Sequence, residues 1–149
     1  IEIKHIKIIK WWYKLRNQNM FNITQIEQAH DQVKTGSDFP NYIKEIKNLG
    51  VIGFDTWVKD SKTDYFGENN FKISSLPKYD ELTILDNTNG EDFMIKLRAH
   101  QQGKTDYFTF CKDCAETGIE KWVVNLNEMT CIYFDKKGNE ILVEQIPAQ

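Results

Sequence analysis

An internal repeat is the feature of this chain that most constrains its fold. Residues 38–73 align with residues 106–141 at a constant shift of 68, without a gap. The six identical pairs are Asp38/Asp106, Lys44/Lys112, Gly50/Gly118, Tyr65/Tyr133, Phe66/Phe134 and Ile73/Ile141. Other pairs exchange one apolar side chain for another, as at Phe54/Trp122. Because the matches fall where a fold needs core or turn residues, the pattern predicts two copies of one supersecondary unit.

Each copy is predicted to contain two helices followed by three strands. The four helical stripes are predicted to end at Gly36, Gly50, Gly103 and Gly118, and the first of them runs from Ile23 to Val33. The predicted strands are 51–59, 63–66 and 71–74 in the first copy, and 119–126, 130–135 and 140–146 in the second. The first helices of the two copies align at a shift of 67, which pairs Gly36 with Gly103.

The grouping of helices ahead of meandering strands predicts an α+β fold rather than an α/β fold. In this fold the two tandem helix-helix-strand-strand-strand units form an antiparallel sheet, and the helices pack on it. One further strand is predicted over residues 81–85, between the copies. A three-stranded unit with one solvent-exposed face is hard to stabilise alone. We therefore expect the two units to share a core or to join the edges of their sheets.

The predicted domain organisation separates a short extension from one domain. Residues 1–19 hold five Lys/Arg against one Glu, and we interpret them as a basic N-terminal extension outside the native domain. An amphipathic arm for a membrane or an acidic partner is the alternative interpretation. Residues 20–149 are predicted to form a single α+β domain made of two repeats, at about residues 22–75 and 88–146.

Charge and cysteine content narrow the class of partner. Residues 20–149 hold 14 basic and 21 acidic residues. This balance argues against binding a nucleic-acid backbone, which requires Lys and Arg to neutralise phosphates. No apolar run is long enough to predict a transmembrane segment. Three cysteines in a chain of this size are not typical of a secreted disulfide framework, so we expect a cytoplasmic protein.

The candidate metal ligands are His100, Cys111, Cys114 and Cys131, a possible Cys₃His set. Cys111 and Cys114 form a CxxC motif, but it falls late in a predicted helix that follows another helix. A redox motif instead begins a helix after a strand. The repeat places both cysteines at the positions of Ile43 and Ile46, so we favour packing in the core, because free cysteine packs as a small hydrophobe. Metal binding and redox chemistry are the alternatives.

Catalytic motifs are not evident in the sequence. It has no Gly-rich phosphate loop, HExxH helix or Ser/His/Asp grouping, so no catalytic or cofactor-binding residue is predicted, and no cofactor. The aromatic residues exceed what one sheet face needs, and exposed aromatics can anchor partners. We therefore favour a non-enzymatic interaction module that binds a protein or a small ligand. A deep pocket with several polar groups of shifted pKa would argue for an enzyme instead.

Parts of the sequence also resemble a known family. The segments that carry the resemblance are MFNITQIEQAH from Met20, DFPNY from Asp38, HQQGKTDYFTFCKDC from His100 and EKWVV from Glu120. They are similar to the YbcV/YdfO-like family of unknown function, small bacterial and prophage proteins often labelled "phage envelope protein". The resemblance covers residues 20–147 and implies an α+β domain of prophage origin, with no established activity or binding residues. It also brings in a phage structural protein as a further functional alternative.

Overall fold

The structure is a computed structural model that describes residues 6–12 and 20–147. Residues 6–12 are helical, with exposed side chains. The elements that follow are α1 (Ile23–His30), α2 (Phe39–Leu49), β1 (Gly53–Trp57), β2 (Thr63–Phe66), β3 (Lys72–Ser74), α3 (Gly90–Gln101), α4 (Tyr107–Thr117), β4 (Lys121–Asn125), β5 (Thr130–Phe134) and β6 (Glu140–Gln145). A one-turn 3₁₀ helix, Gly36–Asp38, precedes α2. The α+β class and the helix-helix-strand-strand-strand order of each copy are confirmed.

All six strands form one antiparallel sheet in the order β3-β2-β1-β4-β5-β6. The two copies therefore join through their first strands. Asp55 lies opposite Val123 at the centre of the β1–β4 pair, and these two residues are equivalent in the repeat. Two backbone bonds of 2.9 Å, from Val58 N–H to the Glu120 carbonyl and from Leu126 N–H to the Ile52 carbonyl, are equivalent as well. The junction thus has a local twofold axis through the Asp55–Val123 pair.

The turns repeat together with the strands. Gly50 and Gly118 end α2 and α4 in the left-handed conformation, with φ of 107° and 88°. Glycine suits both positions because it has no Cβ to oppose a positive φ. The turn residues Ser61 and Met129, with φ of 64° and 55°, are also equivalent in the repeat. The backbone has therefore kept the same turn conformation at this pair although the side chains differ.

The first helix is shorter than its apolar stripe predicts. A capping box starts α1, in which Asn22 accepts from the Gln25 amide and the Gln25 side chain accepts from the Asn22 amide. The helix ends at His30, and Val33 lies beyond it. There the chain turns, with Val33 N–H bonded to the His30 carbonyl, to reach a β-bridge between Thr35 and Asp106. The early end of the helix is thus accompanied by a contact with the other copy.

The predicted strand over residues 81–85 is wrong, because this segment is an irregular connection between the copies. Leu82 N–H donates to the Lys59 carbonyl at 2.7 Å, and Leu85 N–H donates to the Ala115 carbonyl at 2.9 Å. The backbone N–H groups of this segment thus find hydrogen-bond acceptors in a loop and near the end of α4 instead of in a neighbouring strand. The alternation of apolar residues in this segment indicates partial burial, but it does not show which groups its backbone N–H groups bond to.

The helices cover one face of the sheet, and the core lies between them. Inward-facing residues of the four central strands are buried, and they pack with apolar residues of all four helices, including Ile26, Ile46, Phe93 and Cys114. Strands β5 and β6 contain a bulge at Tyr133/Phe134, where the register departs from that of the first copy. Among the described residues, no helix has the length and apolar character needed to cross a membrane.

Candidate functional site

A cavity of about 470 Å³ lies between the two helix pairs and the covered face of the sheet. Its floor consists of inward-facing strand residues, namely Phe54, Thr56, Thr63, Tyr65, Trp122, Cys131 and Tyr133. Its walls are residues of the helices and of the segment after α1, including His30, Val33, Phe39, Tyr42, Leu97, His100, Tyr107 and Phe110. The C-terminal segment from Glu144 to Pro147 completes the lining. A volume of this size is typical of small-molecule sites, about 300–1,000 Å³.

Equivalent positions of the two copies contribute most of this lining. The shift of 68 relates Phe39/Tyr107, Tyr42/Phe110, Phe54/Trp122, Thr63/Cys131 and Tyr65/Tyr133, and the shift of 67 relates His30/Leu97 and Val33/His100. The local twofold axis places the members of each pair on opposite sides of the β1–β4 junction. The cavity therefore belongs to the junction, and neither copy alone would enclose it.

His30 contributes a neutral imidazole to one side of the cavity. Its Nδ1 lies 3.0 Å from the Lys78 Nζ, and its ring meets those of Tyr42 and Tyr107 edge to face. Burial, aided by the Lys78 charge, lowers the pKa of His30 from 6.5 to about 4. A lysine ammonium can only donate, so Nδ1 accepts and the ring proton is on Nε2.

His100 is neutral as well, but its proton is on the other nitrogen. Its ring stacks on Phe110 at a centroid distance of 4.3 Å, and its Nδ1 lies 3.0 Å from the Thr105 carbonyl oxygen. Because a carbonyl can only accept, Nδ1 carries the proton and Nε2 is left with a lone pair. Burial lowers the pKa of His100, although the bond to Thr105 and the charge of Asp106 oppose the shift.

The hydroxyl groups around the cavity already have partners within the protein. Tyr42 and Tyr65 share a hydrogen bond of 3.3 Å, and Tyr107 bonds to Ser61 at 2.6 Å. On the floor, the Thr56 and Thr63 hydroxyls are 2.9 Å apart. Burial raises the pKa of each tyrosine around the cavity, namely Tyr42, Tyr65, Tyr107 and Tyr133. All four phenols therefore stay protonated at neutral pH.

Charge is nearly absent from the lining. Among the described residues that line the cavity, Glu144 alone carries a charge at neutral pH. Its carboxylate accepts from the Gln101 amide at 3.1 Å in an exposed position at the rim. A charged ligand would lose its hydration on entering and would find no opposite charge inside. The interior is therefore suited to an uncharged, largely apolar molecule.

The shifted pKa values do not prepare this pocket for acid–base or nucleophilic chemistry. A general base works best when its pKa lies near the operating pH. Here burial moves the histidines to lower pKa and the tyrosines to higher pKa. Cys131, with a pKa raised by burial to about 12, has almost no reactive thiolate. A deep pocket with shifted pKa values is the feature expected of an enzyme, but every shift here favours the uncharged form.

The four candidate metal ligands take separate structural roles. His100 bonds to Thr105, whereas Cys111, Cys114 and Cys131 are free thiols buried in the core. Cys111 and Cys114 are buried at the positions equivalent to Ile43 and Ile46, which are buried too. In the part of the chain that the structure describes, no three His, Cys, Asp or Glu side chains are placed to hold a metal ion. Metal binding by this set gains no geometric support.

We expect the three thiols to be unreactive in the folded protein. Cys111, Cys114 and Cys131 are free and buried, and burial raises the pKa of each thiol, for Cys111 to about 11. A reagent such as 5,5′-dithiobis(2-nitrobenzoate) attacks thiolates, so it should label none of them in native protein and all three in urea. Rapid labelling of one native cysteine would contradict the assigned burial.

The face of the sheet away from the helices has a different character. Trp57 and its counterpart Asn125 both lie on it, as their strand positions predict. Lys121 is 4.9 Å from the centroid of the Trp57 ring and 5.2 Å from that of Phe134. The lysine therefore makes cation–π contacts with both rings and leaves them partly covered.

The sequence alone did not identify the site. The sequence contains more aromatic residues than one sheet face needs, but this surplus does not indicate where they gather. The signal that could have located the cavity is the recurrence of aromatic pairs at equivalent inward positions, such as Tyr42/Phe110 and Tyr65/Tyr133. Two facing sets of large rings around a twofold axis are hard to close-pack completely.

Comparison with known proteins gives the family and no activity. No curated protein matches the chain. The model of the family described as "Protein of unknown function (DUF1398)" matches residues 27–145, which include most of both copies and nearly all of the cavity lining. The chain therefore belongs to the DUF1398 family of proteins of unknown function.

Proposed function

We propose that this protein is a non-enzymatic binding module whose cavity holds a small, uncharged and largely apolar molecule. The observation that carries the proposal is the cavity of about 470 Å³ lined by eight aromatic rings and a single charged side chain. The free energy of transferring such a molecule from water to large aromatic surfaces is favourable, and the rings also offer stacking contacts. The neutral histidines add hydrogen-bonding groups without a desolvated charge.

The proposal places the protein inside the cell. Three free, buried cysteines support this location, because a reducing compartment keeps thiols unpaired. The favoured partner thus becomes a small ligand instead of another protein, since the aromatic surplus lines an internal space.

The test uses neutral fluorescent probes, N-phenyl-1-naphthylamine and 1-aminoanthracene, whose emission increases in apolar surroundings. The wild-type protein should bind each probe saturably with one site per chain. Val33→Phe adds a ring at the cavity wall and should weaken binding at least about tenfold, because it removes the volume that the probe occupies. Val143→Phe is the matched control, since Val143 lies on the open face of the sheet and is 53% exposed.

Thermal unfolding of both variants checks that each is folded before binding is measured. The proposal is supported if Val33→Phe loses affinity and Val143→Phe remains close to wild type. It is overturned if neither probe binds saturably to the wild-type protein, or if the two substitutions have the same effect on binding.

A further inference from the structure

We infer that the ligand of this cavity is a planar heteroaromatic molecule with a hydrogen-bond acceptor and a hydrogen-bond donor on its ring system, recognised by His30 Nε2–H and His100 Nε2. The inference rests on the proposed function, because it names the class of molecule that the cavity holds. It derives from the different tautomers of His30 and His100, which line the same aromatic cavity.

The two imidazoles are held in opposite hydrogen-bonding states. Lys78 donates to His30 Nδ1 at 3.0 Å, which leaves a proton on Nε2. His100 Nδ1 donates to the Thr105 carbonyl at 3.0 Å, which leaves a lone pair on Nε2. The partners come from different segments, Lys78 from the connection between the copies and Thr105 from the loop before α4. The cavity therefore has one donor and one acceptor, each set by the fold.

Both Nε2 atoms are available to a ligand. Within the part of the chain that the structure describes, neither has a hydrogen-bond partner. Neither atom is fully buried, because among the described residues every buried side-chain nitrogen or oxygen has a hydrogen-bond partner. Both histidines line the cavity, and we infer that their free nitrogens face its open volume. A ligand that bonds to neither would leave two polar atoms without water or a partner, which is costly.

The enclosure itself favours a flat ring system. The floor presents Phe54, Tyr65, Trp122 and Tyr133, and Phe110 stands on the wall with His100 stacked on it. Aromatic rings stack on planar π systems with a gain beyond area burial. His30 comes from the first copy and His100 from the second, at the ends of the equivalent helices α1 and α3. A ligand that spans the axis between the copies can therefore meet both nitrogens.

A matched series of three probes tests this inference. The compound 2-phenylbenzimidazole has both a ring acceptor and a ring N–H donor. 2-Phenylindole has nearly the same shape and lacks the acceptor, whereas 1-methyl-2-phenylbenzimidazole lacks the donor. At mildly alkaline pH all three are uncharged. The wild-type protein should bind the first about tenfold more tightly than either of the others, because each comparison removes one hydrogen bond.

Two substitutions assign each preference to one histidine. His30→Leu removes the donor, so this variant should no longer prefer 2-phenylbenzimidazole over 2-phenylindole and should keep its preference over the methylated compound. His100→Leu should give the reverse pattern. These preferences are ratios within one variant, so a general loss of affinity does not change their interpretation. If a variant fails to fold, the wild-type series alone still decides.

The possible failures are distinguishable. If the wild-type protein binds all three compounds equally while it binds N-phenyl-1-naphthylamine saturably, this inference is overturned and the proposed function stands. Preferences that stay unchanged in folded His30→Leu and His100→Leu variants would also overturn it. If no probe of either set binds, the proposed function itself fails.

Discussion

Replacing Gly36 with alanine is expected to lower the free energy of unfolding by about 3 kcal/mol. A Cβ at this position would lie 2.3 Å from the His100 carbonyl oxygen and 2.8 Å from the Gln101 amide nitrogen. These are backbone atoms in the last turn of α3, so no side-chain rotation can relieve the overlap. The 3₁₀ turn and α3 would have to separate, and this contact joins the two copies beside the cavity.

Urea unfolding followed by circular dichroism measures the effect, and Gly90→Ala provides the matched control. Gly90 starts α3, its added Cβ would meet only the Ile141 Cγ2 at 3.7 Å, and its φ is not in the left-handed region. This control should change stability by less than about 1 kcal/mol. Equal unfolding midpoints for the two variants would show that the close approach of Gly36 to α3 is not required.

Acid is expected to destabilise the protein through His30. The folded-state pKa of His30 is lowered to about 4 from 6.5, so the unfolded chain binds a proton more readily. The stabilising contribution is complete above pH 6.5 and is lost as the pH falls through about 4. Between about pH 7 and about pH 4.5 the loss should reach about 2 kcal/mol.

His30→Gln isolates this effect, because glutamine has no proton to gain. The free energy of unfolding should be measured across this pH range for the wild type and the variant, and the difference between them should shrink by about 2 kcal/mol at acid pH. The groups facing His30 are Lys78, whose charge lowers its pKa, Asp31, which raises it, and the neutral rings of Tyr42 and Tyr107. Parallel pH profiles would rule out a neutral, buried His30.

Local pattern predicted most of the secondary structure for a clear physical reason. Apolar spacing reports which side chains face the core, and glycine reports where the chain needs a positive φ, as at Gly50 and Gly118. The two errors occurred where contacts distant in sequence decided the outcome. The bridge from Thr35 to Asp106 accompanies the early end of α1, and bonds to Lys59 and Ala115 take up the backbone of residues 81–85.

The site was less accessible to prediction than the fold. Aromatic residues that face inward can fill a core or surround a space, and the sequence does not reveal which of the two arises where two such sets meet. The hydrogen-bonding state of each histidine depends on a partner that only folding supplies, Lys78 for His30 and Thr105 for His100. The sequence predicts Gly36 only as a helix end, whereas the structure places it so close to α3 that an added Cβ would lie 2.3 Å from the His100 carbonyl oxygen.

By itself, the sequence determined that a helix-helix-strand-strand-strand unit occurs twice. The spacing of apolar residues and the turn residues are local properties, and each copy contains its own set of them. The tertiary structure alone decided how the copies meet. They pair through β1 and β4 around the Asp55–Val123 pair, which brings equivalent aromatic residues face to face and leaves the cavity between them. That arrangement depends on contacts across the whole chain, and no spacing within one copy encodes it.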